Sequence, residues 1–255
     1  MYLEKKVKNG YNSYINAEEN DFGTMMDVGL LIMDKGEVHR EKNMDKEMAI
    51  VLLEGRADVT YGKKRFSISR RDMFHEEAWC MLFPSGYEVS VSAGSHCECY
   101  IQKTVNKRMY DPLILSPYDI QVQEAGRNQE LDGCVRRDIK TFFDYDNAPY
   151  SNMVLGEVLN YPGKWSSYPP HRHPQPEVYF YRFDRPQGFG AAFGNGSIEV
   201  SHHNGLLAID RGFHSQVSAP GYTMCYLWGI RHLEGEPWIK TRIDEEEHKW
   251  LNSYF

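Results

Sequence analysis

The chain has 255 residues, 41% of them hydrophobic and 25% charged, with a formal net charge of -7. That apolar share supports a packed core and excludes a disordered chain. The acidic balance argues against a nucleic-acid backbone as partner but leaves room for an anionic small molecule in a local basic pocket.

Short apolar or alternating runs cover residues 29–33, 48–53, 57–61, 87–92 and 98–101, with turn signals such as Asp34-Lys-Gly36 and Pro84-Ser-Gly86 between them. This spacing predicts the strands of a sandwich or barrel. Residues 104–150 are polar, rich in Asp, Asn and Pro, and read as a connector holding one strand near Val135 to Ile139. A second series follows at 154–158, 178–181, 190–193, 198–200, 206–209 and 223–227. The tail from Ile243 to Leu251 is the best helix candidate, with Asp244 as N-cap. Glu47 leading to Pro84-Ser-Gly86-Tyr87-Glu88 resembles Glu177 leading to Asp210-Arg-Gly212-Phe213-His214. The expected fold is therefore all-β, a duplicated barrel with one unit in 1–130 and another in 131–255.

The five cysteines are an odd, scattered set, which fits a reducing, cytoplasmic setting better than a disulfide framework. Cys97 and Cys99 read as packing residues. No apolar run reaches the roughly 18 residues of a membrane span, and the stretch from Met1 to Tyr14 is polar. No membrane or nucleic-acid partner is expected.

The chemistry is concentrated in Tyr168-Pro-Pro-His171-Arg-His173-Pro-Gln-Pro-Glu177-Val-Tyr-Phe-Tyr-Arg-Phe183. Its prolines forbid a helix, so an extended chain with a period of two is expected. His171, His173, Glu177, Tyr179 and Tyr181 share one parity; Arg172, Val178, Phe180 and Arg182 share the other. Two imidazoles and a carboxylate on one inner face suit a first-row divalent metal. His214, after the turn Arg211-Gly-Phe, is the natural fourth ligand.

His-x-His-x3-Glu followed by Gly-x-His resembles the two-motif signature of the cupin superfamily, with Asp210 where a proline is common. More specifically, Trp165-Ser-Ser-Tyr-Pro-Pro-His171-Arg-His173, Glu177-Val-Tyr-Phe-Tyr-Arg-Phe183, Pro186-Gln-Gly-Phe-Gly190 and Ala219-Pro-Gly-Tyr222 resemble the 5-deoxy-glucuronate isomerase family of inositol catabolism. In the first half, Arg70-Arg-Asp-Met-Phe74 and Phe83-Pro-Ser-Gly-Tyr-Glu-Val89 fit too. The short spacing between His173 and Glu177, together with Tyr226-Leu-Trp-Gly229, is similar instead to the related 5-keto-4-deoxyuronate isomerases of pectin breakdown.

The resemblance implies a bicupin that interconverts the aldose and ketose forms of a deoxy-uronic acid. It implies one divalent metal per chain, with zinc expected and Mn, Fe or Ni as alternatives. Glu177, Tyr179, Tyr181 and Tyr226 are candidate acid/base groups, since the reaction moves a proton between adjacent carbons. Arg182, Lys164 and Arg172 are candidates for the sugar carboxylate, although the parity of Arg182 points it outward. A cupin oxygenase and a non-catalytic sugar-binding cupin are the competing classes. Tyr179 and Tyr181 also suit plain core packing, and His202-His203 suits a surface loop. Glu88 stands where the second half has His214, so the first barrel is expected to be metal-free, with His39 and Glu47 as relics. A homo-oligomer is the expected assembly.

Overall fold

In the computed structural model, which describes residues 1–20, 22–210 and 212–254, nearly every apolar run becomes a strand. The first half forms a nine-stranded sheet system around the long strand Lys46–Tyr61. That strand changes partners midway. Up to Glu54 it pairs with Cys97–Val105 and Cys80–Phe83; from Gly55 onward it pairs with Lys64–Arg70, and from Ala57 also with Glu88–Ala93. Gly55 makes the corner. Its φ is +94°, and a Cβ there would meet the His96 carbonyl oxygen at 2.2 Å, so no other residue fits.

The second half is built from two facing sheets. One orders Leu206–Ile209, Glu177–Phe183, Met224–Arg231, Met153–Asn160, Arg137–Phe143 and Val122–Ala125 side by side. The other orders Ser197–His202, Phe189–Gly194, His214–Ser218, Trp165–Arg172 and the two-residue strand Ile243–Asp244. The N-terminal Tyr2–Leu3 crosses over and pairs with Leu206 and Leu207 of the second half.

Three apolar layers follow from strand parity. Met48, Ile50 and Leu52 fill the first barrel. Tyr179, Tyr181, Tyr226 and Trp228 fill the second. The opposite faces of those strands, with Ala49, Val51, Val178 and Phe180, form a third core between the halves. Tyr14 and Tyr100 close on Phe180 there, with ring centroids 5.7 and 5.6 Å away. The same seam buries a charge network. Arg70 Nη2 lies 2.7 Å from Glu157 Oε1, which also accepts from Lys140 Nζ at 3.1 Å.

Several expectations need correcting. The strand expected near Val135 to Ile139 is Arg137–Phe143, but the 104–150 connector also contributes strands Leu113–Leu115 and Val122–Ala125. The chain leaves the first half's sheet after Leu115 and joins the second's at Val122. The tail is a 3-10 helix, Glu246–Tyr254, and Asp244 is not its N-cap. Asp244 instead pairs with His171 across a strand and accepts from Arg242 and Asn252. The turn residue Arg211 lies outside the described residues. Cys97 and Cys99 are buried in the first core, as packing residues.

The internal alignment of Glu47 with Glu177 is off by one residue. Glu47 shares the parity of Ala49 and Val51, so it faces the seam between the halves and not the barrel interior. There it accepts from Tyr110 OH, Asn106 Nδ2, Ser151 Oγ and the Asn152 N–H at 2.6–3.0 Å, a fully satisfied buried carboxylate. His39 stacks on Tyr11, with centroids 6.1 Å apart, and its Nε2 lies 3.4 Å from Glu41.

Candidate active site

His171 and His214 are direct partners on neighbouring strands of one sheet, while Glu177 starts a strand of the facing sheet. The Pro174-Gln-Pro176 turn brings His173 back over Glu177. Glu177 Oε2 is 3.2 Å from both His173 Nε2 and His214 Nε2. His171 stands beside them, its ring centroid 4.5 Å from that of His214. His173, Glu177 and His214 are almost wholly buried, and their ligand atoms lie within 4.8 Å of one another.

The hydrogen bonding leaves these atoms turned inward. His173 Nδ1 donates to the Gln175 carbonyl at 2.8 Å and His171 Nδ1 to the Pro169 carbonyl at 3.2 Å, so each neutral ring carries its lone pair on Nε2, and that of His173 lies against Glu177 Oε2. Among the described residues, both ring nitrogens of His214 are buried without a hydrogen-bond partner, although Nε2 lies 3.2 Å from Glu177 Oε2. Orphaned imidazole nitrogens converging on a carboxylate fit a divalent cation. Protonation agrees. Burial, then the adjacent His214, lowers the His171 pKa to about 3, so its ring is neutral as ligation requires. Burial alone would raise the Glu177 pKa, but His214 and His173 hold it well below the usual carboxylate range.

The cluster opens into a cavity of about 320 Å³ lined by Ser166, Ser167, Tyr179, Tyr226, Trp228 and Trp238, with Arg137, Lys240 and Arg242 as its cations. Glu177 is the one carboxylate among the described lining residues. Tyr226 OH lies 2.6 Å from Ser166 Oγ, and Tyr179 OH lies 3.2 Å from Ser167 Oγ. Burial pushes the Tyr226 pKa up to about 12 and that of Tyr179 well above its ordinary value, so both stay protonated at neutral pH. Tyr181 has the right parity but sits deeper, donating to Gln216 Oε1 at 2.5 Å.

None of the three basic residues expected to bind a carboxylate lines this cavity. Arg182 obeys its outward parity and pairs across the seam with Glu98, while contacting His203. Arg172 is exposed, its guanidinium 4.9 Å from the Phe213 ring centroid. Lys164 ends the turn before Trp165–Arg172, where its carbonyl accepts from Asn160 and Ser218. The lining cations come from elsewhere. Arg242 is held by Asp244 and the Pro169 carbonyl, and Lys240 by Asp146 and Asp144. Arg137 is 8% exposed, donates to the Val135 carbonyl at 2.7 Å, and has no carboxylate partner among the described residues. Period-two parity would have grouped Arg137, Ile139 and Thr141 on one face of this strand.

The 5-deoxy-glucuronate isomerase of Geobacillus thermodenitrificans (strain NG80-2) is 24% identical over 234 residues, covering 81% of this chain and 83% of its own. That of Shouchella clausii (strain KSM-K16) is also 24% identical, over 85% and 83% of the two chains. Among solved structures, an IolB-like protein from Salmonella typhimurium LT2 superposes with a TM-score of 0.87 at 20% identity, over 98% of both chains. A cupin 2 conserved barrel domain protein from Leptotrichia buccalis gives 0.52 at 11% identity, over 90% of this chain and 91% of its own. These likenesses establish the duplicated cupin-type fold expected from the sequence. The model of the KduI/IolB family matches residues 2–251, and the chain belongs to that family.

Proposed function

We propose that the protein is a metal-dependent aldose–ketose isomerase of a deoxy-uronic acid, with 5-deoxy-glucuronate of inositol catabolism as substrate. One juxtaposition carries this reading: His171, His173 and Glu177 share a cavity with Arg137, a buried guanidinium that no described carboxylate neutralises, and His214 Nε2 lies 3.2 Å from Glu177 Oε2. A uronic acid supplies both complements, vicinal oxygens at one end and a carboxylate at the other. The names of the relatives support the same substrate.

His171, His173, Glu177 and His214 would hold the metal, which when bound supplies Lewis acidity toward sugar oxygens. Zinc is the proposed ion, because isomerisation needs no redox change. Tyr226 and Tyr179, kept protonated by burial, act as hydrogen-bond donors or acids toward developing oxygen charge. Glu177 is the group able to accept the migrating proton, and Trp228 and Trp238 exclude water. The exposed Phe189, Ile198 and Val200 on the hairpin that edges the smaller sheet suit pairing of copies in a homo-oligomer.

The test is turnover of 5-deoxy-glucuronate by purified protein, with oxygen uptake followed in parallel. Isomer formed without oxygen consumption, and stopped by chelation, is the expected result. Oxygen uptake would move the protein to the oxygenase class, and binding without turnover to the sugar-binding class. The short His-x-His-x3-Glu spacing favours 5-keto-4-deoxyuronate as the second substrate to assay; turnover of that sugar alone would reverse the substrate assignment.

A further inference from the structure

A second cavity, of about 620 Å³, lies where the strand Met224–Arg231 ends against the segment that follows Val105. Lys107, Arg108 and Arg231 line it, with Glu234 the one carboxylate among the described lining residues. Their neighbours do not neutralise them. Arg231 donates through Nε to Thr104 Oγ1 at 2.7 Å and through Nη1 to the His232 carbonyl; Arg108 Nη1 donates to the Pro149 carbonyl at 3.1 Å. No ion pair joins any of the three to a carboxylate among the described residues, and nearby Glu47 already accepts from four donors.

His232, 4% exposed, forms part of the same wall. Its Nδ1 accepts from the Trp238 N–H at 2.9 Å, so the neutral ring carries its proton on Nε2. That Nε2 is buried and has no partner among the described residues. Burial, with Arg231 adding to it, lowers the His232 pKa to about 4 and keeps the ring in this donor form. A buried orphan donor beside unneutralised cations is the arrangement an oxyanion completes.

We infer that this cavity is a second ligand site, separate from the metal cluster, that takes a small oxyanion: the carboxylate or phosphate group of a metabolite. The site is wired to the catalytic cavity through the chain. Trp238, whose N–H bonds to His232, lines the first cavity, and Glu236 between them accepts from Gln175, whose carbonyl orients His173.

The experiment is an NMR titration of the histidine side chains of the metal-loaded protein with inorganic phosphate and, separately, succinate. A saturable shift of His232 is expected with at least one probe, and the responding probe identifies the headgroup class. In the Lys107→Gln/Arg108→Gln variant, which alters only exposed side chains, affinity for that probe should fall about tenfold or more. Arg137→Gln, in the first cavity, should leave it unchanged. The inference is overturned if neither probe gives a saturable shift, if the double variant binds as well as the parent, or if binding is lost in Arg137→Gln alone.

Discussion

Arg137→Met should lower turnover of a uronate while costing little or no stability. Two buried arginines make the comparison internal. Arg70 is 1% exposed and bonded to Glu157 at 2.7 Å. Arg137 is 8% exposed and, among the described residues, has only the Val135 carbonyl. Burying a guanidinium costs several kcal/mol, and a bond from a charged group returns about 1.5–3 kcal/mol. Removing Arg137 should thus leave stability within about 1–2 kcal/mol of the parent, on either side. Arg70→Met strands Glu157 and should cost about 3–5 kcal/mol, softened by Lys140. For function the order reverses. Loss of a charge-assisted bond to a substrate carboxylate, about 1.5–3 kcal/mol, is roughly a 10- to 150-fold fall in kcat/KM, carried by KM. Urea unfolding measures the first effect. Steady-state kinetics with the uronate and its uncharged methyl ester measure the second: the parent should prefer the acid, and Arg137→Met should lose that preference. An Arg137→Met protein destabilised as much as Arg70→Met, with KM unchanged for the acid, would refute the reasoning and make Arg137 structural.

Gly156→Ala should damage the cavity beside Glu177 from behind, because its Cβ would lie 2.6 Å from the Trp228 ring and 2.4 Å from the Lys140 carbonyl. A shifted Trp228 emission spectrum and a stability loss of about 1–3 kcal/mol are expected; unchanged fluorescence and unfolding would contradict the packing. Tyr226→Phe should retain metal and fold while kcat falls by about 100-fold or more, and a near-parental kcat would remove Tyr226 from the proton-handling groups. Acid should destabilise the metal-free protein partly through His203. Burial, then Arg182, lowers its folded pKa from 6.5 to about 4. The unfolded chain therefore takes up its proton first, so this contribution is full above pH 6.5 and is lost as pH falls toward 4. Urea unfolding at pH 7 and pH 5 should show a smaller drop for His203→Gln than for the parent; equal drops would assign the acid sensitivity elsewhere.

Strand parity made much of the site legible. Glu177, Tyr179 and Tyr181 do face one interior, and the structure brings His173 and His214 to Glu177 from a turn and from the facing sheet. The same parity warned that Arg182 points outward, which the Glu98 contact now explains. What stayed hidden came from segments without periodicity. The run from His232 to Arg242 has no strand pattern, yet it carries Trp238, Lys240 and Arg242 to the cavity through contacts with Trp228, Asp146 and Pro169. Arg137 stayed hidden although the sequence predicts a strand near Val135 to Ile139, because the run is too short and polar to show which of its faces is buried. Glu47 misled for a different reason: similar flanking residues align it with Glu177, but one residue of register turns an interior-facing carboxylate into a seam residue.

Metal content tests the central claim most directly. The purified protein should carry about one divalent ion per chain, or take one up on titration with zinc. His171→Ala and His214→Ala should lose it while keeping a β-rich circular dichroism spectrum. A parent protein that binds no divalent ion under any of these conditions, or a folded His214→Ala variant that binds as tightly as the parent, would contradict the account.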